Sequence, residues 1–244
     1  MVSAQCSRQQ RYLTILLGSF LILDFGCATV KDEVDPHIQS ELQEALSHAP
    51  TDELSKSYDP LSLLQKAENF YSEKNFLEAA GEYEYFLNLH PLHRWAPYAQ
   101  YKFGLSYFHQ IQTVDRDIEP VLKALTAFQK LVDLYSDSPY REAAIKRIGF
   151  CQERLAEREF YIGHIYYKKL AYPAAIERFQ GIVQDYPETQ VAEKAMYYLA
   201  LSYHGLGELD KAKQGLKEFL EKYPATEHRK EIQRLLSKPD GHET

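Results

Sequence analysis

Six positions recur in order four times along this chain: a small residue, an aromatic, an alanine, two bulky side chains and a proline. The third copy is Gly163, Tyr166, Ala175, Phe179, Ile182 and Pro187; the fourth is Ala200, Tyr203, Ala212, Leu216, Phe219 and Pro224. The first copy, Ala67, Phe70, Ala79, Tyr83, Phe86 and Pro91, has identical offsets. The second, Gly104, Tyr107, Ala124, Phe128, Leu131 and Ser136, carries eight extra residues between its aromatic and its alanine, and serine replaces proline. Steps of three and four residues keep side chains on one helical face. A period in the mid-thirties marks a solenoid, in which each unit buries its apolar face only by stacking on its neighbours.

The pattern has a direct physical reading. Gly163 and Ala200 leave room for a facing helix, while Ala175 and Ala212 let its backbone approach. Tyr166 and Tyr203 on the first helix of a pair are expected to pack on Phe179 and Ile182, or Leu216 and Phe219, of the second. Pro187 and Pro224 end the second helix, because proline cannot continue it. These offsets match the tetratricopeptide signature. The predicted fold is therefore all-α: a tetratricopeptide-repeat solenoid of about four helix pairs over 60–236. The pairs are 60–73 with 76–89, 94–110 with 119–135, 157–170 with 172–185, and 190–205 with 208–222. Between the second and third copies no proline interrupts 139–170, and Ala144, Ile148, Cys151 and Leu155 share one face. One long helix of about thirty residues is expected there. Residues 227–236 should cap the stack, and 237–244 should fray.

The N-terminus is of another kind. Met1 to Tyr12 carries Arg8 and Arg11 without an acid, and Leu13–Leu23 is an almost wholly apolar run of eleven residues. That is shorter than the roughly 20 residues of a spanning helix and suits the apolar core of an export signal. Gly26-Cys27 follows, the arrangement of a bacterial lipoprotein signal in which Cys27 is acylated and 1–26 removed; Asp24 and Phe25 depart from that motif. An ordinary signal or an uncleaved anchor is the competing reading. Residues 27–59 then read as an acylated start and a flexible acidic tether, with Ile38, Leu42 and Leu46 able to form one short amphipathic helix. As free chain, 28–59 would span on the order of 30 Å. With Cys6 removed and Cys27 acylated, Cys151 is left alone, so no internal disulfide is expected; its apolar stripe makes it a buried thiol.

Twenty-eight basic residues against 35 acidic give a net charge of −7, with both signs interleaved. No nucleic-acid partner is indicated. His90 and His93 flank Pro91 without a ligand partner at metal spacing, and no phosphate loop, HExxH motif or nucleophile elbow occurs. The expectation is a non-enzyme without a cofactor or metal. Nineteen tyrosines exceed what the repeat core needs. Tyr71, Tyr85, Trp95, Tyr98 and Tyr101 are surplus, either as contact surface or as packing between repeats.

A more specific resemblance rests on the Asp115-Arg116-Asp117 loop, the run LAEREFYIGHIYYKKLAYPAAIERF, the signal and the repeats. Together they resemble the BamD family, the lipoproteins of the outer-membrane β-barrel assembly (BAM) machine. The resemblance covers about His90 to Pro224; family members commonly carry five helix pairs, and the most N-terminal one is expected to be missing. It implies a lipid-anchored protein on the periplasmic face of the outer membrane that binds the last POTRA domain of BamA. Other BAM lipoproteins are implied partners, and so are C-terminal segments of unfolded outer-membrane proteins. Arg178 falls where the family places an arginine that pairs with an acidic POTRA residue; a merely solvated arginine is the alternative. Asp115, Arg116 and Asp117 are further partner-binding candidates. Tyr71, Trp95, Tyr98 and Tyr101 are the candidate lining of a client-peptide groove. Two other functions compete: a periplasmic tetratricopeptide adaptor for cell-division or peptidoglycan machinery, and a pilotin for a secretin.

Overall fold

The computed structural model describes residues 36–48, 58–113 and 117–237. Among them are ten α-helices and no strand: α1 (Pro36–Ser47), α2 (Pro60–Ser72), α3 (Phe76–Leu89), α4 (Ala96–Phe108), α5 (Glu119–Leu134), α6 (Arg141–Lys168), α7 (Tyr172–Asp185), α8 (Gln190–Leu206), α9 (Leu209–Lys222) and α10 (Arg229–Ser237). From α2 to α10 each helix packs on the next, and α6 also reaches α8. This is the stacked helix-pair arrangement expected from the repeats.

The repeats share their bonding as well as their spacing. Pair-internal turns close identically in three copies. Asn75 donates to the Phe70 carbonyl at 2.9 Å, Ala171 to Tyr166 at 3.0 Å, and Glu208 to Tyr203 at 3.0 Å. The preceding residue, Lys74, Leu170 or Gly207, donates to the carbonyl three back and sits left-handed, with φ of 62°, 61° and 87°. This is the Schellman ending. Only the fourth copy uses glycine there, so the first and third hold a side chain in a conformation costing about 1–2 kcal/mol. Second helices close alike in all four copies, His90, Tyr135, Tyr186 and Tyr223 donating to the carbonyls of Phe86, Leu131, Ile182 and Phe219. Starts are set by residues suited to them: Asp59 accepts from the Ser62 amide at 2.7 Å, and prolines occupy the first turns of α2, α4, α5 and α7.

The alanines and both bulky positions of all four copies are buried. A Cβ on Gly104 would stand 2.6 Å from Phe128 Cε1, and one on Gly163 would stand 2.9 Å from Phe179 Cε1. Glycine is thus the residue that lets these helix pairs close. The aromatic at the second offset corrects the expected packing. Tyr166 is 37% exposed and Tyr203 is half-buried. Both lie at the end of the first helix, over the turn, where the second helix has only begun. Lys211 covers the Tyr203 ring from 5.3 Å.

The long helix is continuous over 28 residues. Its first half packs on α5 and its second half pairs with α7, so it bonds the second repeat to the third without a joint. Ile232 of α10 is buried against the fourth repeat, closing that end. At the other end the expected short helix is α1. Leu42 and Leu46 are buried in the main core, and Glu41 pairs with Arg94 at 2.8 Å. This part of the expected tether is therefore packed helix. Cys27, the signal and the tail 238–244 lie outside the described residues.

Candidate partner-docking surface

Two regions bring the candidate residues together, one in the first two repeats and one in the third. In the first two repeats the aromatics expected to line an open groove are mostly interior. Trp95, Tyr98 and Tyr101 are 5%, 3% and 1% exposed. The reason is α6, whose start covers α4. Tyr140 stacks on Tyr101 at 5.1 Å and meets Tyr98 edge-on at 5.8 Å, and Trp95 meets Tyr98 at 6.1 Å. Tyr98 and Tyr101 pack between repeats and Trp95 packs on Tyr98; buried in this way, the three do not line an open groove. Tyr71 is half-buried, against Phe76 at 5.3 Å and Tyr83 at 6.4 Å. Tyr85 is exposed.

This packing closes over a polar cluster that the repeat pattern did not reveal. Glu68 on α2 accepts from the Tyr83 phenol and, at 2.9 Å, from the Tyr98 phenol. Lys102, nearly buried, stands 3.7 Å from the second oxygen of Glu68 and 3.2 Å above the Tyr71 ring. Burial, followed by the Glu68 charge, pushes both phenols well above the ordinary tyrosine range. They remain donors at neutral pH, as the shared acceptor oxygen of Glu68 requires. His109 joins at 3.0 Å from the Tyr71 oxygen and stacks on Phe76 at 4.6 Å. His90 and His93 act structurally: the first lies 2.9 Å from the Tyr58 carbonyl, and the second faces the Trp95 amide at 3.3 Å.

Asp115 and Arg116 lie outside the described residues. Asp117 accepts from the Glu119 amide at 2.9 Å, holding the start of α5. The near side of the same loop is held by Arg154 of α6, whose guanidinium donates to the Gln112 carbonyl at 2.8 Å. Next to it, Glu153 accepts from the Gln190 and Val191 amides at 2.9 and 3.2 Å. A carboxylate at a helix N-terminus satisfies otherwise orphan donors, so α6 fastens both the loop and α8.

Arg178 projects from α7 with its side chain 42% exposed, while the adjacent Phe179 is wholly buried. Its guanidinium donates to Glu159 of α6 at 2.8 Å. That bond, followed by the carboxylate's charge, raises the arginine's already high pKa, so the cation is permanent. Glu159 also faces Arg158 at 3.4 Å. Exposed Tyr161 and Leu170 and part-exposed Ile165 and Tyr166 lie on the same helix and its turn. Of these, Tyr166 is the one whose influence reaches Arg178, and a cation fixed on an exposed face is what a protein surface carrying an acidic residue would meet.

A family model described as "YfiO: Outer membrane lipoprotein" matches residues 39–218. The chain belongs to this family. Curated relatives are each named outer membrane protein assembly factor BamD. The Vibrio cholerae protein is 30% identical over 226 residues, covering 82% of this chain and 94% of that one. The Rickettsia prowazekii protein is 30% identical over 64% of this chain and 62% of its own length. The Caulobacter vibrioides protein is 31% identical over 63% of this chain and half of its own. The YfiO match thus begins inside α1 and ends inside α9, taking in the Glu68 cluster and the Arg178 surface alike. Among the described residues no helix is long and apolar enough to cross a membrane. Sequence reasoning missed Glu68, Lys102 and Glu159 because each is an ordinary polar residue on an amphipathic helix. The one available signal was Glu159 standing a single turn before Gly163.

Proposed function

We propose that this protein is a non-enzymatic scaffold of outer-membrane protein assembly, anchored to the outer membrane through acylated Cys27, and that its C-terminal repeats dock the last POTRA domain of BamA. The observation that carries this reading is Arg178, a permanent cation held on a rigid helix pair within the family-matched region. The Asp115-Arg116-Asp117 loop forms a second contact in the same reading, fastened at both described ends by α6 and α5. Client C-terminal segments are received by the first two repeats, where Tyr71 is the only one of the four aromatic candidates not fully interior.

Affinity purification of the tagged, full-length protein from solubilised envelopes tests the reading. BamA is expected as the dominant partner, with recovery reduced by Arg178→Ala. Division proteins or a secretin in its place would favour the adaptor or pilotin alternatives. Fractionation tests the anchor separately: Cys27→Ser should release the protein from outer membranes.

A further inference from the structure

The setting of Arg178 assigns a role to a second residue. Arginine is long and flexible, and a partner that binds it must first immobilise it, at a cost in affinity. Here that ordering is already done. A Cβ on Gly163 would stand 3.1 Å from the Cβ of Arg178, so the root of the arginine lies against the α6 backbone in the space glycine leaves. One turn earlier on the same face, Glu159 takes the guanidinium at 2.8 Å through one terminal nitrogen. Glu159 is steadied in turn by Arg158 at 3.4 Å, and its charge also reaches the Tyr186 phenol. Root and head of Arg178 are therefore both fixed by residues four apart on α6. A guanidinium offers five donors in a rigid fork, and Glu159 occupies one of its nitrogens. The remaining edge is available to a second carboxylate.

We infer that Glu159 is the positioning residue of the docking surface: it holds Arg178 with its free edge presented to a carboxylate on the partner protein. This rests on the docking reading above. On this inference Glu159 strengthens the interface although its charge has the same sign as the group being bound. The repeat's small residue then serves two ends, closing the helix pair through Phe179 and seating Arg178.

The test is a double-mutant cycle with full-length protein in detergent and the purified periplasmic domains of the barrel-forming subunit, read as Kd by interferometry. Glu159→Gln keeps shape and removes charge, and is expected to weaken binding roughly three- to tenfold, the equivalent of one side chain left unordered. In the Arg178→Ala background the same change should have no further effect, because the residue it positions is gone. A merely structural role for Glu159 would persist in both backgrounds and would overturn the inference. So would unchanged or tighter binding by Glu159→Gln alone, which would make the carboxylate idle or a competitor. If Arg178→Ala itself leaves Kd unchanged, the docking reading falls and this inference with it.

Discussion

Two glycines of α6, Gly149 and Gly163, allow one substitution to be run in opposite senses. Each lies inside the helix, where glycine is about 0.8–1.0 kcal/mol less favourable than alanine. Around Gly149 an added Cβ meets nothing within 4 Å; at Gly163 it meets Phe179 Cε1 at 2.9 Å and the Arg178 Cβ at 3.1 Å. Phe179 is wholly buried, so it cannot swing aside, and overpacking a filled core costs typically 1–3 kcal/mol. Gly149→Ala should therefore stabilise by about 1 kcal/mol. Gly163→Ala, carrying the same propensity gain against the clash, should lie between roughly neutral and 2 kcal/mol destabilising. The difference between the variants, about 1–3 kcal/mol, isolates the contact between α6 and α7 from helix propensity. Urea unfolding followed by far-UV circular dichroism measures both, with midpoints compared at a common slope. Equal stabilisation by the two alanines would refute the close approach at Gly163 and with it the register of the third repeat.

Other consequences follow from particular positions. Leu170 is 69% exposed and sits at φ 61°, so Leu170→Gly relieves strain with little packing lost. It should raise stability by about 0.5–1 kcal/mol in the same unfolding experiment, glycine's greater freedom in the unfolded chain offsetting part of the 1–2 kcal/mol strain; a loss of stability would deny the left-handed turn. Cys151 is buried, and burial pushes its thiol up to about 12 despite nearby Arg147. Since the thiolate is the nucleophile, Cys151 should resist iodoacetamide at pH 8 in the native protein and react on denaturation; mass spectrometry showing rapid native labelling would contradict its burial.

Most of the architecture was legible because the repeat is local. Ala79, Tyr83 and Phe86 lie within two turns of one helix, and their counterparts in every copy are buried as the spacing implied. The unbroken α6 and the helix at Leu42 and Leu46 were legible for the same reason: no proline interrupts the one, and the other has helical spacing. The aromatics were not. Tyr98 and Tyr101 read as surplus because their neighbour Tyr140 lies far along the chain and only stacking brings it over them; Trp95 is buried beside Tyr98. Tyr166 erred the opposite way: its offset resembles a core position, but the turn beneath it leaves it half open. Cys27, Asp115 and Arg116 were read from motif alone and lie outside the described residues.

The chain by itself determined that helices form, where they stop and which faces are apolar, since propensity, proline, left-handed turns and three- or four-residue spacing are properties of adjacent residues. Tertiary structure alone decided which polar groups meet. Glu68 finds Tyr83, Tyr98 and Lys102, and Glu159 finds Arg178, across helices whose separation and rotation are set by the glycines and alanines between them. Electrostatic pairing falls steeply with distance and desolvation. A charge therefore acquires its role only when the packed backbone has placed it within a few ångströms of its partner.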